Sequence, residues 1–227
     1  MQLASTLLSS SALSSSALSQ MISGCAGLEL LTAVLLVWRG SMRATVRLLA
    51  VQGAALAGLV TVLAVKDGAA ELLAVALLVL VLKAYLLPRL LAGSVLGSGP
   101  GRRADATGPL LAVAGLAPIA YLVSRPVVTL FPGPAGRAVP VGFALVLSGF
   151  LVLVTRHRAH AQLVGFLMRD NGIATIAFLT AGGVPLVVEL GASLDVLLIV
   201  LVLQVLGGRM QLTTGGSDLD DLRELRD

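Results

Sequence analysis

The sequence predicts an all-α protein, a polytopic membrane helix bundle of about seven transmembrane helices with its N-terminus outside and its C-terminus cytoplasmic. Three observations carry this. The chain of 227 residues is 57% hydrophobic and only 12% charged, with a mean hydropathy of +0.98, well beyond what a soluble core needs. Apolar runs long enough to cross about 30 Å of hydrocarbon as helix recur at roughly 18–38, 45–65, 69–92, 109–124, 139–155, 161–181 and 186–206. Between them, positive charge alternates. One set of loops, with the tail, carries Arg39, Arg43, Arg47, Arg89, Arg102, Arg103, Arg156, Arg158, Arg209, Arg223 and Arg226, against only Lys66, Arg125 and Arg137 in the other. Lys and Arg near span ends favour the cytoplasmic side, which fixes the orientation.

Residues 1–17 form a polar, uncharged N-terminal segment that lacks the basic start of a secretory signal. Ile22-Ser23-Gly24-Cys25 imitates a lipoprotein cleavage box, but cutting there removes part of the first span. Cys25 reads better as a small helical residue, and a single cysteine forms no internal disulfide. The bundle proper extends over 18–207. Its fourth run is short and contains Pro118, so the stretch 124–137 (SRPVVTLFPGPAGR) reads as a place for a half-inserted turn. The sixth and seventh runs are joined by a short uncharged turn, and 208–227 is a cytoplasmic acidic tail.

Ionisable residues inside spans are costly and mark ion or proton pathways, which singles out a few positions. At 1.5 Å per helical residue, Asp170 in the sixth run and Asp195 in the seventh both fall near the bilayer midplane. Glu29 in the first run and Lys83 in the third lie at similar depth, whereas Glu189 marks the outer part of the same region. Lys83 is too deep for comfortable snorkelling, so it is expected to pair with a carboxylate, Asp170 first and Asp195 second. Arg169 stays protonated and relays nothing; it orients a neighbouring carboxylate or tunes its proton affinity. A buried acid–base pair can equally be an inert pin between helices.

Other chemistries find no residues. His157 and His160 sit in a cytoplasmic loop without Cys or acidic companions, short of the ligand count a metal needs. Gly182-Gly183 and Gly207-Gly208 are turn and helix-end glycines, since no strand precedes them to build a phosphate loop. The pI near 10.0 reflects Arg at membrane boundaries, not nucleic-acid binding. No catalytic, cofactor-binding or metal residue is expected.

The stretch 162–172 (QLVGFLMRDNG), followed by Val188, Glu189, Gly191 and Asp195, resembles the C-terminal signature of the hydrogenase-4 component E family. Lys83 in LKAYLLP, shortly before the helical Pro88, resembles the family's lysine. The family's Glu-Asn-Gly stands here as Asp170-Asn171-Gly172, and neither Arg169 nor Glu29 belongs to the pattern. The resemblance implies a relative of subunit K of NADH-quinone oxidoreductase, in the inner-membrane arm of formate hydrogenlyase-type and related nickel–iron hydrogenase complexes. It implies a non-catalytic, cofactor-free subunit in the lipid bilayer. Its partners would be antiporter-like and quinone-oxidoreductase H-like membrane subunits, together with soluble hydrogenase-type subunits. Lys83, Asp170, Glu189, Asp195 and Glu29 would then form a proton relay, each proton moved altering the preferred state of the next site. A subunit of a multi-subunit cation/proton antiporter and a structural membrane scaffold are the alternatives.

Overall fold

The computed structural model describes residues 2–38, 41–93, 107–156 and 159–181. These residues are all-helical: α1 (Gln2–Trp38), α2 (Met42–Asp67), α3 (Ala70–Val79), a π-helical segment (Leu80–Leu86), α4 (Leu87–Gly93), α5 (Thr107–Leu130), α6 (Pro134–Thr155) and α7 (Ala159–Ala181). The π segment joins α3 and α4 into one rod. Six stretches are long and apolar enough to cross a membrane: Ser16–Trp38, Arg43–Asp67, Ala70–Ala92, Thr107–Leu130, Pro134–Thr155 and Ala161–Ala181. They coincide with the first six expected spans. The seventh, with Glu189 and Asp195, and the tail 208–227 lie outside the described residues.

Two boundaries differ from expectation. Helix α1 begins at Gln2, so the uncharged N-terminal segment is helical and continuous with the first span. Helix α5 runs through Pro118 and Pro126 to Leu130 where a half-inserted turn was expected. Proline removes one backbone donor from a helix, but apolar spans tolerate it when side chains and neighbours re-satisfy the freed groups. Within α5 the Ser124 hydroxyl donates to Tyr121 O at 3.0 Å and the Thr129 hydroxyl to Pro126 O at 2.7 Å, both bonds to the helix's own carbonyls, while the carbonyls that the two prolines free are those of Ala114 and Leu122. The helix stops only before Pro132, which disfavours helical backbone at the residue ahead of it. Pro134, preset for a first helical position, then starts α6.

The α2–α3 turn is closed by Gly68, whose left-handed backbone (φ 65) suits glycine; its N–H and that of Ala69 both bond Ala64 O. At the opposite end, the Arg156 guanidinium donates to Val37 O at 3.3 Å, covering a carbonyl in the last turn of α1.

Helices packing in lipid gain little from apolar burial, so close approach through small residues does the work. Helices α6 and α7 show this. Gly142 faces Gly172, and Gly149 faces Gly165, two antiparallel pairs seven residues apart. A Cβ on Gly172 would lie 2.8 Å from Gly142 O, and one on Gly149 would lie 2.7 Å from both Gly165 O and Arg169 N. The backbones therefore touch, and no larger residue fits.

The buried side chains form two apolar clusters, one at each end of the bundle. One contains Ile22, Leu56, Val60, Val75, Val79 and Phe178; the other contains Leu36, Leu49, Leu91, Leu145, Leu167 and Met168. Between the clusters lie buried polar residues on four elements, Glu29 on α1, Gln52 on α2, Lys83 on the π segment and Asn171 on α7, with Thr175 one turn further along α7. The bundle is thus a sandwich of two apolar plugs about a polar midlayer.

Candidate functional site

The midlayer begins with the π segment. Pro88 has no N–H for the carbonyl of Ala84 four residues earlier, and its ring crowds that oxygen. The turn ahead of it widens, and Leu87 N–H bonds Leu82 O, a five-residue step. Such π turns are uncommon and often mark functional positions. Lys83 stands in this wide turn. Gly53 of α2 lies against its backbone, since a Cβ there would fall 2.6 Å from Lys83 C and O and 2.8 Å from Ala84 N. Glycine at 53 therefore lets α2 carry the π segment at backbone contact.

From this position Lys83 Nζ reaches Asp170 Oδ2 at 2.8 Å. Asp170 was the first-choice partner, and the pair forms between the third span and α7. The lysine side chain is 4% exposed and the aspartate 18%, so the pair sits at the rim of the layer rather than in bulk solvent. At low polarity such a pair holds together strongly, and removing either member strands a charge.

Along α7 the polar run continues inward. Asn171 Nδ2 donates to Gln52 Oε1 at 3.2 Å. One turn on, Thr175 Oγ1 lies 2.8 Å from Glu29 Oε2 and 2.8 Å from Asn171 O. Glu29 is fully buried, as are Gln52 and Thr175. Lys83 is near enough to interact electrostatically with Glu29. Two polar atoms in this cluster, Glu29 Oε1 and Gln52 Nε2, have no hydrogen-bond partner among the described residues. Four elements thus bring an ammonium, two carboxylates, two amides and a hydroxyl into one buried layer.

Three of the expected site residues, Lys83, Asp170 and Glu29, meet here, while Glu189 and Asp195 lie outside the described residues. Arg169 is placed differently from its sequence neighbour. Its guanidinium stacks against Phe150 at 5.3 Å and Phe166 at 5.0 Å, and among the described residues it makes no ion pair. Successive helical residues point about 100° apart, so adjacency to Asp170 does not bring the two side chains together; aromatic faces hold the cation instead. Gln52, Asn171 and Thr175 were not singled out as site residues by the sequence reading. Their signal was present, because an amide or hydroxyl deep inside an apolar run is costly to leave unpaired, though less so than a charge. Within the described residues, no group of three or more His, Cys, Asp and Glu is arranged to hold a metal ion.

No family model matches the chain. No solved structure matches it either. Over 215 residues it is 49% identical to the uncharacterized protein Rv0085 of Mycobacterium tuberculosis, an alignment that spans 92% of this chain and 97% of that protein. Similarity of that extent places this chain in the family of Rv0085.

Proposed function

We propose that the chain is a membrane-arm subunit of a hydrogenase-like, complex I-related assembly of the hydrogenase-4 component E type, and that it contributes a proton relay. The observation that supports this best is the midlayer itself: the Lys83–Asp170 ion pair shares one layer with the buried Asn171–Gln52 and Thr175–Glu29 hydrogen bonds. Charged groups are kept at such depth chiefly where protons or ions move. A pair that exchanges its proton alters the field at the next carboxylate, so occupancy at Asp170 and at Glu29 is coupled. Glu189 and Asp195, expected in the relay from the sequence, lie outside the described residues. The redox chemistry belongs to partner subunits, and the inner membrane is the site of action.

The test is to isolate the tagged chain with its native partners, identify them by mass spectrometry, and follow proton uptake by inverted vesicles. Hydrogenase-type and antiporter-like subunits are expected to co-purify. The paired neutral substitution Lys83→Gln with Asp170→Asn, and separately Asp195→Asn, should leave the assembly intact and abolish coupled proton uptake. Antiporter subunits without any hydrogenase-type partner would support the antiporter reading. Intact uptake in all variants would leave the ion pair as a helix pin, the scaffold reading.

A further inference from the structure

The geometry points to Glu29 as a proton-specific binding site read by a reversible hydroxyl. Thr175 accepts a hydrogen bond from the protonated carboxyl and donates to the carboxylate, while a water molecule held by Gln52 serves the other carboxyl oxygen. Its part in transport rests on the proton-relay reading above; the site itself does not.

A hydroxyl has one proton and two lone pairs. Thr175 Oγ1 lies 2.8 Å from Glu29 Oε2 and 2.8 Å from Asn171 O. When Glu29 is ionised both neighbours are acceptors, and a single proton serves one of them fully. When Glu29 is protonated, its O–H donates to Thr175 and Thr175 donates to Asn171 O, so every contact is satisfied and the two bonds reinforce each other. Proton binding at Glu29 therefore turns the Thr175 proton from α1 toward the backbone of α7, beside the amide that holds Gln52.

The second carboxyl oxygen supplies the independent observation. Glu29 Oε1 and Gln52 Nε2, both on side chains with no exposure, lack partners among the described residues. One is an acceptor and the other a donor, which is the complement a bound water needs. An alkali cation is suited poorly. Hard cations seek about six oxygens, whereas the Gln52 oxygen is occupied by Asn171 and the free Gln52 group is an N–H donor that repels a cation. The charged and titratable groups around Glu29 add to this. Cys25 interacts with it from one turn earlier on α1, and Lys83 acts on it from the π segment while bound to Asp170 of α7. On α7, Arg169 is held by its two phenyl rings. Helix α2 offers the neutral Gln52 at this level, and the charged residues of α6 and α5, Arg137 and Arg125, lie toward the opposite ends of their helices.

The full chain in lipid nanodiscs, without partners, is titrated by infrared spectroscopy. A carbonyl-stretch band that vanishes in Glu29→Gln identifies protonated Glu29. That band should move to higher wavenumber in Thr175→Val, stay in place in Thr175→Ser, and shift in Gln52→Leu. Its titration midpoint should be the same when sodium chloride replaces choline chloride at fixed ionic strength. Absence of the band at every pH, a band unmoved by both Thr175→Val and Gln52→Leu, or a sodium-displaced midpoint would each overturn the site. Should Thr175→Val fail to fold, the Gln52→Leu shift and the sodium comparison decide. Because no partner subunit enters this measurement, an intact band in a complex that moves no protons would count against the proposed function alone.

Discussion

At the residue scale, the ion pair between Lys83 and Asp170 is the feature whose removal has the plainest consequence. Its two members lie 2.8 Å apart with the ammonium buried. Deleting one strands the other in a layer of low polarity, at a cost of about 3–5 kcal/mol. Lys83→Gln and Asp170→Asn should each lower the thermal midpoint of the detergent-solubilised protein. The double variant, which replaces the pair with two amides able to bond each other, should be more stable than either single. A double-mutant cycle reads this directly, and additive losses would show that the two side chains do not depend on each other. Gln52→Leu should be destabilising by the same logic, by about 1–3 kcal/mol, since it leaves the buried Asn171 amide without its acceptor.

At the element scale, backbone contact is the controlling fact. Helix α2 meets the π segment at Gly53, and α6 meets α7 at the pairs Gly142–Gly172 and Gly149–Gly165. Added side chains at these points strike main-chain atoms, which cannot turn aside as a flexible side chain can. Gly149→Val and Gly53→Val should each destabilise the bundle by roughly 1–3 kcal/mol or more. Gly115→Val, on a lipid-facing part of α5 with nothing within 4 Å, should not. Comparison of the three thermal midpoints in one detergent checks this. Gly53→Val has a second consequence, because the helix that it displaces carries Gln52 and supports the turn that presents Lys83. Pro88→Ala restores the missing backbone donor and should favour ordinary α-helical hydrogen bonding through 80–86. That change would rotate Lys83 relative to α7 and weaken its pairing with Asp170, measurable as a smaller Lys83–Asp170 coupling energy when the double-mutant cycle is repeated in the Pro88→Ala background.

At the scale of the whole molecule, the apolar ends and polar centre are arranged as a membrane requires. Helix α5 shows the outer boundary: only Val113, Ala120 and Ser124 are buried on it, while Leu111, Leu122 and Leu130 stand well exposed. An apolar surface of that kind is costly in water and at home in lipid. The loop charges, eleven positive residues in one set against three in the other, predict the orientation. A reporter active only in the cytoplasm should therefore be active when fused after Arg103 or at the C-terminus, and silent when fused after Lys66. The reverse pattern would invert the molecule.

The sequence by itself determined the helical class and the first six apolar spans, and it predicts a depth for each charged residue. Those properties depend on local hydropathy and on a fixed rise per residue, and both are written along the chain. It also identified Lys83, Asp170 and Glu29, because charge inside an apolar run is conspicuous without any knowledge of packing. What it left open was direction around each helix axis. Arg169 and Asp170 are neighbours in sequence, yet one stacks between two phenyl rings and the other binds Lys83. The tertiary structure alone decided that Gln52, Asn171 and Thr175 join Glu29 to the same layer, for their hydrogen bonds cross between helices up to 146 positions apart. It likewise decided that α5 continues past Pro126 and that the third span widens at Lys83. For the midlayer the outcome depends on what the neighbouring helix offers to a buried side chain, and pairwise contact of that kind has no signature in a single strand of sequence.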